Sequence, residues 1–235
     1  MRKTTCRAAA ICLSLCCTVG LWSQTQPLPE NPQPQSTTTA KEKPKRILWL
    51  VPAFDVVTAG APYVALSASQ KFHIFTDSTF DRITPVTAAF DAGINQATNT
   101  PPGYGQGAEG YAKRYGAAVA DKATSDFLGK FLFPVIFHQD PRYFALQEGT
   151  GGRRTGYAIS RVFVTRGDNS RSQFNASQVL GAFSSAAMTN IWYPSRDREV
   201  GTTLMRGGTR LALGMGFNVL KEFWPEIGRK MHLKR

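Results

Sequence analysis

AEGYAKRYGAAVADKATSDFLGKFLF, residues 108–133, carries a small residue at every fourth position: Ala112, Gly116, Ala120 and Thr124. In an α-helix a four-residue step returns to the same side, so these four form one row. Tyr111, Tyr115, Val119 and Phe127 supply apolar bulk, and Lys113, Arg114, Asp121, Lys122 and Asp126 are spaced so that one face stays polar. The spacing predicts a long helix over this stretch, stopped by Pro134.

Three further stretches repeat the device. Ala89/Gly93/Ala97 runs towards Pro101, Gly181/Ser185/Thr189 towards Pro194, and Gly208/Ala212/Gly216 towards Pro225. Small side chains let a second backbone approach closely, and proline cannot continue a helix. Ser67 or Ser69 can cap a short helix to about Phe75, Thr84-Pro85 can start one to about Thr98, and Asn175 can cap one from Ala176 to about Trp192. A last helix is expected over about Thr202–Phe223. Ile47–Val51 reads as a strand or buried arm, and Gln139–Arg154 as loop. Tyr157–Thr165 suits strand by its β-branched content and helix by its surroundings; helix is the reading taken. The expected fold is mainly α: one bundle-like domain, residues 47–235, with closely packed small-residue helix faces.

Ahead of it, Arg2, Lys3 and Arg7 precede an apolar run, Ala8–Trp22, too short for a bilayer span of about 20 residues but suited to an export signal over residues 1–23. The alternative is an uncleaved anchor. Cys6, Cys12, Cys16 and Cys17 all lie in that segment, so a processed chain would hold no disulfide, thiolate nucleophile or cysteine-bound metal. Leu15 before Cys16 argues against a lipid anchor there. Residues 24–46, rich in Pro, Gln and Thr with little apolar bulk, read as a disordered linker.

The formal net charge is +12, unevenly spread. Residues 24–149 carry 11 basic and 11 acidic side chains; residues 150–235 carry 14 basic and 5 acidic. A positive half on an exported chain points to an anionic partner: lipid head groups, an acidic envelope polymer, or another envelope protein, rather than nucleic acid. The candidate anion-binding residues are Arg153, Arg154, Arg161, Arg166, Arg171, Arg196 and Arg198. Peripheral membrane contact and self-association through the small-residue faces both fit the pattern.

Chemistry is sparse. His138-Gln139-Asp140-Pro141-Arg142 brings an imidazole, a carboxylate and a guanidinium together; the alternative to a binding protein is a hydrolase with His138 as base, Asp140 orienting it and Arg142 holding an anion. His73, His138 and His232 have no metal-ligand spacing, and no metal or cofactor is implied. The glycine-rich stretches 103–107 and 149–154 lack the Gly-Lys-Ser/Thr ending of a nucleotide loop.

RILWLVPAFDVV (46–57), the run from Phe90 to Asp121, FPVIFHQDPRYF (133–144), FNASQVLG (174–181), TNIWYP (189–194) and NVLKEFWPEI (218–227) together resemble an uncharacterised family of exported bacterial proteins. The resemblance covers nearly all of the chain after the signal. It implies a bacterial, exported, one-domain protein, residing in the periplasm or cell envelope, and brings no activity with it.

Overall fold

Six helices carry most of the fold: α1 (Ala68–Thr79), α2 (Thr84–Ala97), α3 (Gly107–Asp126), α5 (Gly151–Ser160), α6 (Ala176–Met188) and α7 (Val200–Lys230), with a four-residue α4 (Phe133–Ile136). The structure is a computed structural model and describes residues 46–47, 51–52 and 55–230, all within one unit, 43–235. The expected signal and, apart from Arg46, the expected linker lie outside the described residues. The mainly helical expectation holds.

Side-chain caps set three helix starts, those of α1, α5 and α6. Ser67 Oγ accepts from the Gln70 N–H at 3.2 Å, and the Gln70 side chain accepts from the Ser67 N–H at 2.9 Å, a reciprocal cap on α1. Asn175 Oδ1 accepts from the Gln178 N–H at 3.1 Å and starts α6. Thr84 is not a cap: it is the buried first residue of α2. Residues 151–154, expected as the end of a loop, are the first turn of α5, capped by Thr150.

Two of the four prolines do not stop a helix. A proline ring collides with the carbonyl four residues back and offers no N–H. Before Pro134 the chain widens into a π turn over Phe127–Leu132, where the Phe133 N–H reaches Leu128 O, and then continues as α4. α7 runs on through Pro225.

Strands are short. β1 (Arg46–Ile47) pairs antiparallel with β2 (Val51–Pro52), β3 (Val56–Val57) parallel with β4 (Tyr143–Phe144), and β5 (Val164–Arg166) antiparallel with β6 (Ser172–Phe174). The 157–165 stretch is divided: helix to Ser160, a turn, then β5. α3 packs between α2 and α6, α6 also packs on α7, and α5 packs on α7.

The small-residue rows are only partly the seams. Gly181, Ser185 and Thr189 are buried, and a Cβ at Gly181 would sit 3.0 Å from Gly129 Cα. In α2 the buried row is Thr84, Ala88 and Ala92, one position off the expected Ala89/Gly93/Ala97. In α7 Gly207 and Leu211 face inward, Gly207 against the Phe183 ring, while Gly208, Ala212 and Gly216 face out. Ala112 and Gly116 of α3 are exposed. Neighbouring four-residue rows run side by side round a helix. Where both rows are small, spacing does not choose between them.

The interior holds little apolar bulk and many paired charges. Ala88, Ala92, Ala117, Ala158, Ala182 and Ala186 are buried together with Lys71, Arg114, Asp126, Asp140, Arg154 and Glu222. Glu222, fully buried, accepts from the Tyr143 hydroxyl (2.8 Å), the N–H groups of Leu146 (2.9 Å) and Gln147 (2.6 Å), and Arg154 Nε (3.1 Å). Arg154 also donates to the Glu222 carbonyl at 2.8 Å, pairs with Glu226 and lies over the Phe223 ring. Glu222 and Glu226 flank Pro225, so one guanidinium holds α7 on both sides of its proline.

Two outcomes are expected. Gly181→Val should destabilise by about 1–3 kcal/mol, since the helices cannot part to admit it, whereas Gly208→Ala and Gly216→Ala should each stabilise by about 0.5–1 kcal/mol through helix propensity; urea unfolding midpoints check both. Burial would raise the Glu222 carboxyl, but the Gln147 and Leu146 N–H groups, Tyr143 and Arg154 outweigh it and hold it below the ordinary 4.5. The stability so gained is present above pH 4.5 and lost as pH falls through the lowered value. Glu222→Gln should flatten the acid limb of a plot of Tm against pH.

Candidate functional site

The His138–Phe144 segment turns between α4 and β4. His138 takes a left-handed φ of 51°, and its side chain is 84% exposed. Its Nδ1 lies 3.9 Å from Asp168 Oδ2, not against Asp140. The Asp140 carboxylate is fully buried and spent on Arg142: Oδ1 accepts from the Arg142 N–H and Nε at 3.0 Å each, and Oδ2 from Nη2 at 2.6 Å. Arg142 Nη2 also donates to Val64 O at 2.6 Å. The three candidate catalytic residues are therefore not brought into one relay.

The segment instead ties distant pieces of chain together. The Gln139 amide donates to Phe174 O at 2.6 Å and accepts from the Ser177 N–H and hydroxyl, joining β6 to the start of α6. Thr165 donates to Asp140 O at 3.0 Å. Lys71, buried in α1, donates to both oxygens of Asp168 (3.0 and 2.7 Å) and to Pro134 O at 3.1 Å. Lys71 and Asp168 are residues that sequence reasoning missed; the signal was a lysine set beside Phe72, Ile74 and Phe75.

The seven candidate anion-binding arginines divide by environment. Arg154 is withdrawn: it is buried and neutralised by Glu222 and Glu226. Arg161 is half-buried over the Tyr157 ring, and Arg166 lies over Tyr63 and Phe144. Arg153, Arg171, Arg196 and Arg198 are exposed, and none forms an ion pair among the described residues. Beside the glycine-rich loop before α3, buried Arg114 donates to Thr100 O, Pro101 O and Gly105 O and ties the loop to the helix.

Cavities lie elsewhere among the described residues. A groove of about 330 Å³ has the Ala112/Gly116/Ala120 row as its floor and Tyr104 and Trp192 as walls. A polar cavity of about 90 Å³ sits at the Gly129–Gly181 contact, with Asp126, Lys130 and Arg210 on its lining. Nearby, Asp121 joins α3 to α7 through Arg210 at 3.2 Å and accepts from Trp192 Nε1 and the Tyr193 hydroxyl at 3.0 Å each. Burial raises its carboxyl against the pull of Arg210. Among the described residues, no group of three His, Cys, Asp or Glu side chains could hold a metal ion.

If the segment is a structural tie, His138→Ala should leave Tm within about 1 °C, as exposed substitutions usually do. Asp140→Asn should cost about 3 kcal/mol or more by leaving Arg142 without its buried counter-charge. Thermal unfolding of the two variants checks this, and equal effects would contradict it. Comparison with protein-family models, curated sequences and solved structures finds no match for this chain.

Proposed function

We propose that the protein binds an anionic surface of the bacterial cell envelope and performs no chemistry of its own. One observation carries this reading: Arg153, Arg171, Arg196 and Arg198 stand exposed without carboxylate partners among the described residues, while Asp168, Glu222 and Glu226 of the same half are each paired with a cation. Asp168 is held by Lys71, and Glu222 and Glu226 by Arg154. Arg229 and Lys230 add exposed cations at the end of α7, and Glu199 is the one acidic residue of this half that is exposed overall. A surface of this kind attracts phosphate-bearing head groups or an acidic polymer. The spent Asp140 and the outlying His138 lend no support to the hydrolase alternative.

Co-sedimentation of the full chain with vesicles of phosphatidylglycerol and phosphatidylcholine tests it. Binding should weaken steeply as salt rises, because exposed charges are screened. The triple variant Arg171→Gln/Arg196→Gln/Arg198→Gln should bind on the order of a hundredfold more weakly, at roughly 1 kcal/mol per cation near an anionic surface. Binding indifferent to both salt and these substitutions would overturn the reading.

A further inference from the structure

The outer side of α7 inverts the usual arrangement of a surface helix. Between Val200 and Leu220 the ionisable side chains are Arg206 and Arg210, and both turn inward: Arg206 Nη2 donates to Asn190 Oδ1 at 2.5 Å, and Arg210 bonds Ser185 and Asp121. What faces out is Val200, Leu204, Met205, Leu213 and Phe217, each more than half exposed, with Gly201, Gly208, Ala212 and Gly216 between them and Thr202 and Thr209 as the exposed polar side chains. A surface helix ordinarily places charge outside and apolar bulk inside. Here roughly 25 Å of helix presents no exposed charge. Cations close both ends: Arg196 and Arg198 before it, Arg229 and Lys230 after it, with Glu199 exposed beside the first pair and Glu226, paired to Arg154, partly exposed beside the second.

We propose that this face of α7 lies in the boundary between head groups and acyl chains of an anionic bilayer, with the four end cations on lipid phosphates. The inference rests on the anionic-surface reading above and names the surface and the element that enters it. An apolar stripe bounded by basic residues is the pattern of a helix lying in a membrane interface. Charge decides against a second copy as the occupant. Two α7 helices set face to face, in either direction, bring basic end against basic end. The depth is limited to the outward face, since the inward face is spent on Asn190, Ser185 and Asp121. Among the described residues no helix is long and apolar enough to cross a membrane.

The test uses the full chain and phosphatidylglycerol/phosphatidylcholine vesicles containing lipids brominated in mid-chain. Leu213→Trp should show tryptophan quenching beyond that of the unsubstituted chain. Met205→Glu/Leu213→Glu should lower vesicle partitioning by about a hundredfold or more, because each buried apolar side chain is worth about tenfold, with helical circular dichroism unchanged. Strong, salt-sensitive binding with no added quenching at 213 would overturn the inference while leaving the anionic-surface reading intact. Loss of all vesicle binding by the parent chain would sink both. A parent dimer that Met205→Glu/Leu213→Glu converts to monomer would also overturn it, with a second copy on the face.

Discussion

The buried pair of Arg154 and Glu222 is the constraint on which the C-terminal half depends. Each group alone would be costly inside a protein, and removing one partner of such a pair typically costs about 3–5 kcal/mol. Here the cost of dehydration is met by several bonds at once. The carboxylate takes donors from β4, from the strand's exit at Leu146 and Gln147, and from α5. The guanidinium answers with α7 side chains, a carbonyl and the Phe223 ring. Four pieces of chain thus meet at one ion pair, and the parallel pairing of β3 with β4 places residues 56–57 beside the same knot.

The same logic recurs across the molecule. Lys71 with Asp168 and Asp121 with Arg210 join segments, Lys122 and Lys130 with Asp126 brace a helix, and Asp140 fixes Arg142, which reaches Val64 O. Alanine-lined helices leave narrow spaces that large aliphatic side chains do not fill. Charges on long stems reach across these spaces, and each must find its complement. Much of the ionisable inventory is consumed by architecture. What remains outside is mostly positive at the ends of helices and apolar along the middle of α7.

Helix existence was legible because caps and periodicity are local. Ser67 with Gln70, and Asn175 with Gln178, act as their sequence suggests. Proline was less decisive. Pro101 and Pro194 lie beyond helix ends, but Pro134 is absorbed by a widened turn and Pro225 by a clamp from a residue 71 positions earlier in the chain. The inward row of α2 escaped detection because Ala88 and Ala92 are as small as Ala89 and Gly93; burial there is decided by α3, not by α2. The site was the least legible part. His138, Asp140 and Arg142 are neighbours in sequence, yet the backbone turn at His138 sends its ring to solvent while Asp140 goes inside. Nothing local distinguishes Arg154, which is buried, from Arg153, which is not; the difference is one step of rotation around α5 towards Glu222.

A core built from alanine has a thermodynamic corollary. The heat-capacity change of unfolding grows with exposed apolar area and is reduced by exposed polar area. Unfolding here uncovers alanine methyl groups and buried ions beside a few larger side chains, Leu128, Phe144, Val162 and Leu211, and each ion uncovered lowers the heat-capacity change. A small value flattens the dependence of stability on temperature. The fold's tolerance of warming and cooling is thus set less by how much grease it hides than by how faithfully its hidden charges are matched.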